Sequence, residues 1–171
     1  DPADLPGEVD VAYLAVRADQ VESALPLLER VPARVVVTLV NLAGEARPVA
    51  DRLGRERTIL GFSGVGGTRG PDGVTYHEVK QQPTTIGRAG GREQAVVADL
   101  RGAGFTVDTV DDPVAWLATH AVFIAGIGAA ILRSGDSTTL GRDRAATSQM
   151  VLAVRDGFQA LSRLGTPVIP T

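Results

Sequence analysis

VDVAYLAVRADQVESALPLLERVPARVVVTLVN, residues 9–41, decides the fold. It reads as a near-continuous apolar strand (residues 9–16), a polar turn (RADQ), a helix (residues 21–30) and a second apolar strand ending in asparagine (residues 33–41). Strands that are apolar almost throughout belong to parallel sheets buried on both faces. Two of them around a helix make a β-α-β unit. Open sheets of this kind take ligands at the carboxyl ends of their strands, so Arg17, Gln20 and Asn41 are the candidate cofactor-binding residues. No glycine-rich phosphate loop precedes the unit. The chain is therefore expected to begin part-way through a dinucleotide-binding fold, with strand 9–16 left as an unprotected sheet edge or paired with another copy.

Composition narrows the function. The 171 residues carry a net charge of −3, and only 4% are aromatic. With no basic run and few rings for base stacking, nucleic acid is not an expected partner. The absence of cysteine removes disulfides and thiolate chemistry, and no metal-ligand spacing is visible. The N-terminal DPADLPGE lacks the character of a signal peptide. The longest apolar run, Ala121 to Leu132, suits a buried core helix better than a membrane span. A cytoplasmic location is expected.

Working outward, residues 45–53 carry a helical stripe of Ala46, Val49, Ala50 and Leu53. TILGF and GVTYHEV read as strands joined by SGVGGTRGPDG, and QQPTTIG extends or follows the second. Residues 94–103 form a helix, and FTVDTV is a last strand before Asp111-Asp112-Pro113, a helix start with aspartate at the cap and proline in the first turn. From there the chain is helical, with Val151, Val154, Phe158 and Leu161 on one face of a second long helix that stops at Gly165. The fold expected is α/β, the second half of a Rossmann-type sheet followed by an all-helical segment. The domain division expected is 1–110 and 111–171. Pro26, inside the first helix, should kink it.

Two glycine clusters imitate the dinucleotide fingerprint. Gly64-Val65-Gly66-Gly67-Thr68-Arg69 lacks the following helix, which predicts a flexible inter-strand loop. Gly126 and Gly128 fall inside a helix and read as close-packing positions in a buried segment. His77 reads as a surface residue and His120 as a core histidine. Ser63, Ser134, Ser137 and Ser148 have no nucleophile-elbow context. Arg17 could grip a phosphate through its planar fork, with Asp19 free to cap the helix; a solvated turn explains the same residues equally well.

Taken together, VDVAYLAVRADQVESAL, ARVVVTLVNLAGE, GFSGVGGTRGPDG, QQPTTIG, DDPVAWLATHAVF and GFQALSRLGTPVIP resemble the ketopantoate reductase (2-dehydropantoate 2-reductase) family across nearly the whole chain. The resemblance implies an N-terminal Rossmann-type NADP-binding domain, of which residues 1–110 are a part, and a C-terminal helical domain that begins at 111. It implies NADP as cofactor and a small keto-acid substrate; the sequence does not identify the oligomeric state, a homodimer being one possible assembly. It also implies that the glycine-rich part lies upstream of Asp1 and further helices lie beyond Thr171. Arg17 stands where the family usually has a lysine near the cofactor, Gln20 matches a family glutamine, and Asn41 matches the asparagine of an Asn-Gly pair whose glycine is here Leu42. The family's lysine, two residues past a tryptophan, and its two asparagines fall on Ala118, Val122 and Gly126, none of which is polar. His120 lies about 200° around the helix from Ala118 and does not replace the lysine. Two functions follow: an NADPH-dependent oxidoreductase acting on a 2-keto acid or related carbonyl without the family's lysine, its catalytic residues unassigned, or a non-catalytic nucleotide- or metabolite-binding relative or scaffold that kept the fold.

Overall fold

A computed structural model describes residues 7–171. The first six residues, and with them most of the N-terminal stretch judged not to be a signal peptide, lie outside the described residues. The chain divides into two compact units, Asp1–Val114 and Ala115–Thr171.

The first unit is a five-stranded sheet of order β1-β2-β3-β6-β7 with helices on its two faces. The strands are β1 (Val9–Leu14), β2 (Ala33–Leu39), β3 (Thr58–Phe62), β6 (Thr84–Gly87) and β7 (Val107–Val110). β1, β2 and β3 run parallel, β6 runs antiparallel to β3, and β7 runs parallel to β6. The mixed α/β fold is the one expected, and β1 stands at the sheet edge with β2 as its one strand partner among the described residues. Side chains alternate between faces with a period of two. Val37, Ile59, Ile86 and Val107 therefore meet Val96 and Val97 of α3 (Glu93–Gly102) on one side. Leu25 and Leu28 of α1 (Val21–Arg30) and Val49 and Leu53 of α2 (Ala46–Leu53) are buried as well. Burying each such side chain contributes about 1.5–3 kcal/mol.

Arg57 ties these elements together. Its guanidinium donates to the carbonyls of Leu53 (2.5 Å), Val31 (3.1 Å), Ala33 (3.4 Å) and Leu28 (3.4 Å). A cation is thus placed where the carbonyl ends of α1 and α2 come together.

Several expectations are corrected. The first strand stops at Leu14, and residues 18–20 form a 3₁₀ turn that leads into α1. α1 spans Val21–Arg30 with Pro26 inside it. The glycine-rich stretch expected as a flexible loop is itself a strand. β4 (Val65–Gly70) pairs antiparallel with β5 (Gly73–Glu78) in a separate two-stranded sheet, and its small residues leave the backbone free to make the ladder. QQPTTIG does not prolong β5; after a turn at residues 79–82 it supplies β6, buried at every position in the main sheet. The hairpin is fastened back by Glu78, which accepts the Thr106 amide at 2.6 Å.

The second unit contains α4 (Pro113–Ser134), of which the residues from Ala115 belong to it, α5 (Ser137–Arg142) and α6 (Arg144–Arg163). α5 was not foreseen. Its N-cap Asp136 and the α6 N-cap Asp143 mark both starts, Asp143 accepting the amides of Ala145 and Ala146 at 2.9 and 3.0 Å. α6 ends in a Schellman motif: Thr166 donates to Leu161 and Gly165 to Ser162, with Gly165 at φ 76°. The burial of α4 is confined to its beginning, at Ala115, Trp116, Leu117, Thr119 and His120. Beyond them Ile124 and Leu132 are exposed and no residue of the run Ala121–Leu132 is buried, so the expectation of a buried core helix is not met over that run. By length and apolar composition alone α4 could also cross a membrane.

α4 and α6 interlock through a reciprocal pair of small residues. A Cβ at Gly126 would come within 2.4 Å of the Val154 side chain, and a Cβ at Gly157 within 2.5 Å of the Val122 side chain. Gly126 is the packing position expected. Gly128 is not, since a Cβ there meets nothing within 4 Å. Val151, expected on the packed face, is 55% exposed.

Candidate functional site

The three candidate residues follow the ends of β1 and β2. Leu14 and Thr38 are the last paired couple of β1 and β2, and Arg17 and Asn41 each lie three residues beyond it, after the strands have ended. Leu39 pairs with Gly61, and the same count carries Asn41 to Ser63. Arg17, Asn41 and Ser63 thus each follow the carboxyl end of one of the three parallel strands. Ser63 could have been found by counting register from the β3 pairing rather than by seeking a nucleophile motif.

Arg17, Gln20 and Asn41 each already make local hydrogen bonds. The Arg17 guanidinium grips Asp19 through two hydrogen bonds of 3.0 and 2.8 Å. That hydrogen bond pulls the Asp19 carboxyl below its ordinary value and raises the arginine above its own. Asp19 does not cap the helix, as had been expected, because the nearer cation takes its carboxylate. The pair is exposed, and exposed pairs hold only weakly against a competing anion. Gln20 accepts the Arg17 amide through Oε1 (3.2 Å) while its own amide donates to the Arg17 carbonyl (2.9 Å), which fixes the turn.

Asn41 accepts the Ala43 amide through Oδ1 at 3.3 Å, an Asx turn. Its amide nitrogen makes no hydrogen bond among the described residues and remains able to donate. Ala43 sits at φ 44°, in the left-handed region where a Cβ is strained. A strained non-glycine residue beside a strand-end asparagine is the kind of backbone outlier that gathers at ligand sites.

The other residues weighed fall elsewhere. His77 is exposed on the β4–β5 hairpin. His120 is 1% exposed and stacks on Trp116, ring centroids 4.9 Å apart and 8° from parallel. Desolvation lowers its pKa, which keeps the imidazole neutral near pH 7. Val122 and Gly126 are engaged with α6 as described. Among the described residues no group of three or more histidine or acidic side chains could hold a metal ion.

Solved structures share this fold. 2-Dehydropantoate 2-reductase from Methylococcus capsulatus superposes with a TM-score of 0.77 at 16% identity, covering 98% of this chain and 56% of that one. The dimeric ketopantoate reductase from Staphylococcus aureus gives 0.75 at 12% identity, covering 96% and 60%. D-mandelate dehydrogenase, in its ternary complex with NADH and anilino(oxo)acetate, gives 0.71 at 16% identity, covering 98% and 56%. This chain spans well under two thirds of the length of these structures. No curated protein matches its sequence. Residues 2–91, more than half of the chain, match the family described as ketopantoate reductase PanE/ApbA, and the chain belongs to that family.

Proposed function

We propose that this chain carries the nicotinamide-side edge of an NADPH-dependent oxidoreductase that reduces a 2-keto acid or related carbonyl. The observation that carries the proposal is that Arg17 and Asn41 each follow the carboxyl end of one of two paired parallel strands, three residues beyond the Leu14–Thr38 pair, with Asn41 beside the strained Ala43. The rim fits a nicotinamide cofactor. Asn41 keeps its amide donor, and the exposed guanidinium of Arg17 can exchange Asp19 for a phosphate, which its fork suits. The cofactor would supply the hydride. Asn41 would orient a carboxamide or ribose by donating from Nδ2, and Gln20 would hold the Arg17 backbone in place.

A second reading has its own observation. At Ala118, Val122 and Gly126 the chain presents no group able to give a proton, and the latter two positions serve helix packing. A relative that binds a nucleotide or metabolite without turning it over fits those residues.

The experiment is a titration of NADPH followed by cofactor fluorescence, then turnover with a panel of 2-keto acids. Saturable binding with turnover supports the reductase. Binding without turnover selects the non-catalytic relative, and no binding at millimolar cofactor rejects both cofactor readings. Exchange of NADH for NADPH in the same titration tests the choice of cofactor.

A further inference from the structure

We propose that a cavity of about 280 Å³ in the first unit, away from the strand-end rim, binds a small molecule carrying a phosphate on an apolar body. Four arginines converge on its wall: Arg47 from α2, Arg55 from the turn before β3, and Arg88 and Arg92 from the loop between β6 and α3. No carboxylate lines it. Because β6 runs antiparallel to β3, Arg88 lies beside the beginning of β3, while the rim lies where β3 ends. The two sites are therefore separate.

Charge accounting leaves the wall cationic. Arg55 is paired with Asp51, four residues before it, and Arg88 with Asp111 at 2.8 Å. Arg47 and Arg92 have no ion pair among the described residues. Arg92 spends only Nε, on the Ala89 carbonyl at 2.9 Å, so its two terminal nitrogens remain donors. Glu93, which follows Arg92 in the chain, is 5% exposed and accepts the amides of Ala89 and Gly91 at 2.8 and 2.9 Å. Those amides are thereby spent, and recognition of an anion falls to the guanidinium groups. Like charges gathered from three segments with incomplete compensation repel one another, and an entering dianion reverses the sign of that energy. Planar guanidinium forks match phosphate oxygens in pairs. The remaining wall, with Leu60, Pro113 and Val114, is apolar and suits a ring or alkyl group rather than a bare ion.

Phenyl phosphate, inorganic phosphate and phenol are the probes, followed on the full chain by 1H–15N NMR that includes the arginine Nε–Hε signals. Phenyl phosphate is expected to give saturable shifts at Arg47, Arg92, Leu60 and Val114, and to bind about tenfold more tightly than inorganic phosphate. Phenol alone should leave these signals in place. The double variant R47A/R92A should weaken phenyl phosphate about tenfold or more, and R34A, which alters an exposed arginine paired with Asp10 outside the cavity, should not. R47K/R92K keeps the charge but loses the forks, and should fall between the two. Equal affinity for phenyl phosphate and inorganic phosphate overturns the apolar subsite. Shifts that persist unchanged in R47A/R92A, or that never appear at these residues up to roughly 10 mM probe, overturn the site altogether.

Discussion

The two units of this chain solve the burial problem differently. In the first, sheet and helices enclose Val36, Val37, Ile59 and Ile86, each at most 1% exposed, and Arg57 closes the helix ends. In the second, no residue of α6 is buried, and α4 is buried only in its opening turns. Contact between α4 and α6 depends on two glycines rather than on large side chains. A unit of the first kind holds its shape through a shared core. A unit of the second kind holds it through close approach, and a single added methyl can disturb it.

That contrast can be broken by substitution. Arg57→Ala should cost the most, about 3 kcal/mol, because it leaves carbonyls of α1, α2 and the start of β2 without their donor. The loss should appear in hydrogen exchange of the β1–β3 amides, with the second unit little changed. Gly157→Val should cost about 2 kcal/mol by overpacking against Val122. Here the second unit alone should lose protection, and equal loss in both units would erase the proposed difference.

Smaller effects sharpen the first unit. Glu93→Ala should cost about 1.5 kcal/mol by stranding the amides of Ala89 and Gly91. Those backbone hydrogen bonds, Ala89 first, hold the Glu93 carboxyl below its ordinary value of 4.5. A carboxyl whose pKa is lower in the folded state stabilises the fold above its unfolded pKa. The contribution disappears as pH falls through the lower, folded value. Acid unfolding of the parent should therefore lose a pH-dependent component that Glu93→Ala lacks, as denaturant melts between pH 7 and pH 3 would reveal. Ala43→Gly should stabilise by about 1 kcal/mol by relieving the left-handed backbone; a destabilisation would show that the Cβ is needed where it stands.

Legibility in the sequence followed the same division. The β-α-β unit was readable because parallel strands buried on both faces announce themselves as apolar runs, and α1 was placed residue for residue. The β4 half of the β4–β5 hairpin was not, since Gly66, Gly67 and Gly70 carry no strand signal even though their partner strand follows after a turn at residues 71–72. In the second unit Gly126 was readable as a packing position, but its counterpart Gly157 was not, because the need for it arises only when Val122 arrives from another helix. At the rim the residue types were legible from position. Their local hydrogen bonds, and the use of Asp19 to hold Arg17 rather than to cap a helix, depend on side-chain geometry that no spacing encodes.

The central claim is that the ends of β1 and β2 form the cofactor edge. Its most direct test is backbone 1H–15N NMR of the chain during an NADPH titration, repeated with Asn41→Ala. The account predicts saturable shifts that concentrate at residues 15–20, 41–44 and 63 and weaken with Asn41→Ala. Shifts that cluster elsewhere, or that are indifferent to Asn41→Ala, would contradict it.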